Sequence, residues 1–219
     1  MNMKEYILNQ IEVLALDSSV KKAQKICERF SITHIPIVEN EKFIGCISES
    51  DSQTIEDHAC SISEYSYVFN FFYANENVSI LELMKLFANN ESNIMPVLDQ
   101  EKNYIGYYEL NDVLDLFCSS PFMRHDGVVM MIEKAKNDFS VSEICQIVES
   151  NESKILGVHI SSETPETIGA TVKINSQDIN EVIQTFRRYK YTIISEHEDD
   201  IYLQDLIERS DYLQKYLNM

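Results

Sequence analysis

The stretch His34-Ile35-Pro36-Ile37-Val38, followed by Phe43-Ile44-Gly45 and then Asp51, returns later in the chain as Ile94-Met95-Pro96-Val97-Leu98, Tyr104-Ile105-Gly106 and Asp112. Glycine to aspartate is six residues in both copies. Proline to glycine is nine in the first and ten in the second, a one-residue difference that belongs in a turn. Such recurrence is the signature of a duplicated supersecondary unit. Upstream, Val20, Ala23, Ile26/Cys27 and Phe30 recur at helical spacing, as do Val78, Leu81, Met84 and Phe87, so a helix is predicted to start near Val20 and near Val78. Asp17-Ser18-Ser19 and Asn75-Glu76-Asn77 supply the N-cap candidates. Each helix leads into a short strand holding a proline, a polar turn (Glu39 to Lys42; Asp99 to Asn103) and a second strand (Phe43–Ser48; Tyr104–Glu109). Proline cannot donate to a ladder, so each strand is expected to start at Pro36 or Pro96, or to lie at a sheet edge there. One helix and one hairpin cannot close a core alone. Two such units can cover each other.

The pattern h-P-h-h, turn, h-h-G-h-h-[ST]-x-x-D resembles the cystathionine-β-synthase (CBS) domain, which occurs in tandem pairs. FIGCISESD (43–51) matches it throughout; YIGYYELND (104–112) carries Glu109 where Ser or Thr is usual. The resemblance covers about residues 1–120, with one CBS domain over 1–60 and a second over 61–120. It implies clefts between the repeats that take an adenosine-containing regulatory ligand (AMP, ADP, ATP or S-adenosylmethionine) and no other cofactor. Carried over, Asp51, Ser48 and the run Thr33, His34, Ile35, Pro36 form one site. Asp112 with Asn93, Ile94, Met95 and Pro96 form the other. A carboxylate can accept from two vicinal ribose hydroxyls in charge-assisted bonds. The same aspartate also suits the start of the following helix without any ligand. Glu109 beside Asp112 makes the second site a poor place for phosphates.

Ser119-Ser120-Pro121 marks a boundary. From Gly127 the elements read β-α-β-β-α-β: Val128–Glu133, a helix Val141–Glu149 capped by Ser140 or Ser142, Ile155–Ser161, Ile168–Ile174, a helix Ile179–Tyr189, and Tyr191–Ser195. In Ile155–Ser161, alternation of Ile155, Gly157 and His159 against Leu156, Val158 and Ile160 predicts a half-buried strand. The order is that of a ferredoxin-like split βαβ over residues 125–197. Its position behind a CBS pair resembles an ACT domain, and the combination resembles the acetoin-utilisation B-type proteins. The loop Lys136-Asn137-Asp138-Phe139-Ser140 lacks the glycine usual in amino-acid-binding ACT domains, which favours a structural or dimerising role over an amino-acid sensor. Residues 198–219 predict a C-terminal helix with Leu203, Leu206, Leu213 and Leu217 in a narrow stripe, too short to stand alone. The fold class is therefore mixed α+β: a tandem CBS pair, a βαββαβ ACT-like domain and a terminal helix.

A net charge of −18 works against nucleic acid and anionic membranes as partners. The basic run Arg187-Arg188-Tyr189-Lys190 ends a predicted helix, where cations offset the dipole. No transmembrane or signal segment is read, so the expected location is the cytoplasm. Five scattered cysteines give neither a C-x-x-C pair nor a disulfide framework; Cys27, Cys46 and Cys145 read as buried thiols. His58 and Cys60 are a weak metal signal, and no metal site is assigned. With five glycines, none close to another, there is no G-x-G-x-x-G or P-loop, nor a G-x-S-x-G elbow. The chain reads as a non-enzymatic regulator acting on an unknown protein target. The apolar run Tyr67–Tyr73 suggests a homodimer. A ligand-free interaction module is the alternative to a sensor.

Overall fold

The computed structural model describes residues 3–176 and 178–195, and the expected helix at 198–219 lies outside them. The chain divides into two compact units, one up to Ser119 and one from Ser120. No helix among the described residues is long and apolar enough to cross a membrane.

The first unit contains α1 (Val20–Phe30), β1 (His34–Glu39), β2 (Lys42–Ser48), α2 (Glu49–Thr54), β3 (Ala74–Asn75), α3 (Ile80–Asn90), β4 (Ile94–Leu98), β5 (Tyr104–Glu109) and α4 (Leu110–Cys118). The repeat is in register from cap to cap. Ser19 and Ser79 cap the two long helices, accepting from the N–H of Lys22 and Glu82, and Ser31 and Glu91 end them in the left-handed conformation. This corrects the expected start of the second helix at Val78 behind Asn75–Asn77. The cap is Ser79, three residues before Glu82 in an S-x-x-E arrangement. Val20 therefore corresponds to Ile80, and the core of α3 is built on Leu83 and Phe87, while Leu81, expected on the apolar face, is 67% exposed.

Each proline strand pairs with its own hairpin partner through a bulge at the same place, between Ile37 and Val38 and between Val97 and Leu98. Pro36 and Pro96 do not start their strands; each is the third residue. β1 belongs to a two-stranded sheet, and β4 gains its second neighbour, β3, only at Val97 and Leu98, beyond the proline. The missing N–H therefore interrupts no ladder. The first turn places Asn40 and Glu41 at positive φ, as a tight two-residue hairpin requires. In the longer second turn, the Asp99 carboxylate accepts from the N–H groups of Glu101 and Asn103, each at 2.8 Å.

The two repeats exchange their leading segments. Leu8 bonds Tyr107 of the second hairpin both ways (2.8 Å each) before Leu14 joins β1; Asn70 bonds Cys46 of the first hairpin (2.8 Å each way) before Ala74 joins β4. Gly106 makes this approach possible: a Cβ there would overlap the Leu8 carbonyl oxygen and sit 2.6 Å from Ile7 Cγ2. The cores are shared likewise. Phe43 and Cys46 pack with the second repeat's Leu83, Phe87 and Tyr108, and Ile94 and Tyr107 pack with the first repeat's Ile35 and Ile47.

The second unit starts with a single turn, α5 (Pro121–Arg124), then β6 (Val128–Ala135), α6 (Val141–Ser150), β7 (Lys154–Glu163), β8 (Thr167–Asn175), α7 (Ile179–Arg188) and β9 (Thr192–Ile193). The sheet order is β7-β8-β6-β9 with all neighbours antiparallel. Ser140 caps α6 and Asp178 caps α7. Met130, Ile132, Ala170, Val172 and Ile174 meet Ile144, Val148, Val182, Ile183 and Phe186 of the helices in one core. β7 departs from the expected alternation. Two bulges, after Ile155 and after Ile160, break it; Ile155 and Val158 reach the core while Ile160 is exposed. Bulges are a common protection for an edge strand.

Candidate cleft at the end of the first hairpin

The end of β1 and the start of α2 converge because His34 pairs with Ser48 across the hairpin, and Ser48 is both the last residue of β2 and the N-cap of α2. The Asp51 N–H donates to Ser48 Oγ (2.9 Å), and Ser48 Oγ donates to Asp51 Oδ2 (2.6 Å), leaving Asp51 Oδ1 without a partner within the cap. Around them Thr33, His34, Glu49, Ser50, Asn70, Asn90 and Glu91 complete a cleft of about 390 Å³.

Thr33 and Asn93, equivalent in the two repeats, grip each other across the pseudo-twofold. Asn93 Oδ1 accepts from Thr33 N (2.9 Å) and Thr33 Oγ1 (3.1 Å), the Asn93 N–H donates to Thr33 Oγ1 (3.0 Å), and Asn93 Nδ2 donates to the Ser31 carbonyl (2.8 Å). The single proton of Thr33 Oγ1 is thereby committed to Asn93. His34 Nδ1, 3.0 Å from the same oxygen, must then be the donor, which makes Nε2 the acceptor of the ring. His34 stands edge-on to Phe72, with centroids 5.2 Å apart. Burial pushes its pKa down, against the opposing pull of the Asp51 carboxylate, so the neutral imidazole is favoured.

Of the residues expected to form sites, Thr33, His34, Ser48 and Asp51 come together in this cleft. Ile35, Ile94 and Met95 are fully buried in the two cores, and Pro36 and Pro96 are buried within their strands, so these five serve packing and line no part of this cleft. Asn93 acts as the clasp on Thr33. The second copy is built differently: Ile94 stands where His34 does, Glu109 is an N-cap residue making no side-chain cap bond, and Asp112 is exposed in the first turn of α4. Sequence reading missed Glu49, Ser50, Asn70, Asn90 and Glu91. Asn70 left a signal, the one amide within the aromatic run Tyr67–Tyr73.

Comparison with known proteins adds the family. The model described as CBS domain matches residues 3–51 and 65–119, so the N-terminal half carries two CBS domains in tandem. Inosine-5'-monophosphate dehydrogenase of Methanocaldococcus jannaschii is 29% identical over 111 residues, half of this chain and 22% of that protein. The chain spans well under two thirds of the length of the curated relatives it matches. Among solved structures, a CBS domain pair/ACT domain protein from Thermotoga maritima aligns with a TM-score of 0.48 and 18% identity, covering 53% of this chain and 96% of that one. The protein CBSX2, solved in complex with AMP, aligns with a TM-score of 0.45 and 12% identity over 53% of this chain and 95% of that one.

Proposed function

We propose that the tandem CBS pair is a non-enzymatic sensor that takes an adenosine-containing ligand in the Asp51 cleft and passes its occupancy to a protein partner. The observation carrying this reading is the convergence of Asp51, with an uncommitted Oδ1, on the His34 ring in one cleft and not in its counterpart. A carboxylate accepting from ribose hydroxyls forms the stronger, charge-assisted kind of bond, and a neutral His34 adds an acceptor beside it.

The lining also discriminates among ligands. Glu49, Asp51 and Glu91 are there, with no lysine or arginine among the lining residues. Like charges 4 Å apart repel by about 1 kcal/mol in water and about 4 kcal/mol near a protein surface. S-adenosylmethionine and AMP therefore rank ahead of ADP and ATP. Calorimetric titration of the four ligands tests this in wild type, Asp51→Ala and Asp112→Ala. Removing a charged acceptor costs about 1.5–3 kcal/mol, roughly ten- to hundredfold in affinity, and that loss is expected for Asp51→Ala alone. Equal losses in both variants overturn the asymmetry. Absence of heat with all four ligands leaves the ligand-free interaction module, which the self-satisfied Ser48–Asp51 cap and Thr33–Asn93 clasp would serve equally well.

The second unit, with its β-α-β-β-α-β order, is read as a ferredoxin-like, ACT-like domain in a structural or dimerising role. A homodimer is proposed through the aromatic run, where Tyr67 and Phe71 are 79% and 66% exposed. A cytoplasmic location goes with this reading.

A further inference from the structure

Asn70 lines the first cleft, and its carboxamide takes part in neither the Ser48–Asp51 cap nor the Thr33–Asn93 clasp. Its backbone is pinned. The Asn70 N–H donates to the Cys46 carbonyl and the Cys46 N–H to the Asn70 carbonyl, both at 2.8 Å. Gly45 permits this approach, since a Cβ there would stand 3.3 Å from the Asn70 carbonyl oxygen. The side chain is held far more loosely. Nδ2 reaches the Val68 carbonyl at 3.5 Å, the outer limit of a hydrogen bond, and Oδ1 has no partner among the described residues.

Strand register places this amide relative to Asp51. Asn70 faces Cys46, His34 faces Ser48, and Cys46 and Ser48 are alternate residues of β2. Facing and alternate residues share one side of a sheet, so Asn70, Ser48 and His34 stand on the same side, with Asn70 about 7 Å along the strand from Ser48. A nucleoside whose ribose hydroxyls meet Asp51 can therefore turn its base edge toward Asn70. The other repeat differs at this point. Cys46 and Tyr107 each follow the hairpin glycine, and Tyr107 exchanges the same pair of bonds with Leu8. Leu8 is thus the counterpart of Asn70, and it packs onto an apolar core.

A primary amide presents a donor and an acceptor side by side. Adenine matches that pair bidentately through its N7 acceptor and N6 amino donor, whereas a 6-oxo purine sets an acceptor where the amino group was. We infer, resting on the proposed reading of the cleft, that Asn70 selects the base and admits adenine over 6-oxo purines. Adenosine and inosine are the probes, because they share the ribose and differ at position 6. Calorimetric titration of wild type should show adenosine binding about ten- to hundredfold more tightly than inosine. In Asn70→Leu, which copies position 8, the two affinities should converge, and Asn70→Ala carries the comparison if leucine crowds the cleft. Asp51→Ala should weaken both nucleosides together and leave their ratio intact. Adenosine binding with equal affinity for inosine in wild type overturns the inference, as does a preference that survives in both Asn70 variants. Either result leaves the sensor reading standing. Absence of heat and of thermal shift with both nucleosides at millimolar concentration overturns the inference and the sensor reading together.

Discussion

Gly45 and Gly106 occupy the same place in the two repeats, at φ +155° and +145°, yet alanine at each should have very different consequences. An L-residue at such a φ carries about 1–3 kcal/mol of strain, and both variants share it. The surroundings differ. A Cβ on Gly45 would meet Asn70 O and Phe69 Cβ at 3.3 Å, a tight contact that small shifts relieve. On Gly106 it would overlap the Leu8 carbonyl oxygen and lie 2.6 Å from Ile7 Cγ2, about 1 Å inside the normal carbon–carbon separation. Relief requires moving a strand held to Tyr107 by two hydrogen bonds of 2.8 Å, and overpacking of this kind costs about 1–3 kcal/mol. Gly106→Ala should thus lose about 2 kcal/mol more than Gly45→Ala, which for a unit of this size is a gap in melting temperature on the order of 10 °C. Scanning calorimetry and urea unfolding of both variants measure it, and equal losses would refute the reasoning. Shortening the chain to begin at Asn9 removes the obstructing segment, and the excess penalty should vanish with it. If it persists, the crowding does not come from Ile7 and Leu8.

Ser79→Ala should cost about 1 kcal/mol in urea unfolding while Asn77→Ala is neutral; the reverse would restore the cap expected from sequence. Asn93→Ala leaves the half-buried Thr33 N–H without an acceptor, so a loss of about 1–3 kcal/mol is expected, and unchanged stability would show that the clasp is idle. Lys134 holds the Glu143 carboxyl below its ordinary 4.5, through their hydrogen bond first. That contribution is present above pH 4.5 and fades as pH falls through the lower folded-state value, so Lys134→Met should flatten the acid limb of stability; parallel acid limbs would contradict it. Burial pushes the Cys27 thiol to about 11 and Cys46 higher still, so a thiol reagent at pH 8 should label exposed Cys118 first and leave Cys27 and Cys46 untouched until unfolding.

The hairpins were legible because Pro36, Gly45 and Asp51 recur, glycine to aspartate at the same spacing and proline to glycine with one extra residue in the longer second turn. The second helix was misplaced by two residues because its apolar residues are dense enough to fit more than one register. Leu81 and Met84 imitate Ala23 and Ile26, and only the Ser79–Glu82 cap decides. The exchanged segments left no trace at all, since Leu8–Tyr107 and Asn70–Cys46 are isolated bridges between distant positions with no alternating run on either side. For the cleft, Ser48 and Asp51 were visible as a motif at helix-start spacing. The Thr33–Asn93 clasp was not, because it joins two different residue types across the duplication and identity between copies is what repeat reading detects.

The crossed leading strands bear on where this chain can be divided. Nicking the exposed loop at Glu56–Ala59 would not release two independent repeats. The upstream piece would keep the strand that the downstream hairpin needs at Tyr107, and the downstream piece would keep the one needed at Cys46. Each fragment would be an incomplete sheet holding its counterpart's missing edge, which is the arrangement of a split reporter, in which assembly from two separately made halves restores a single body.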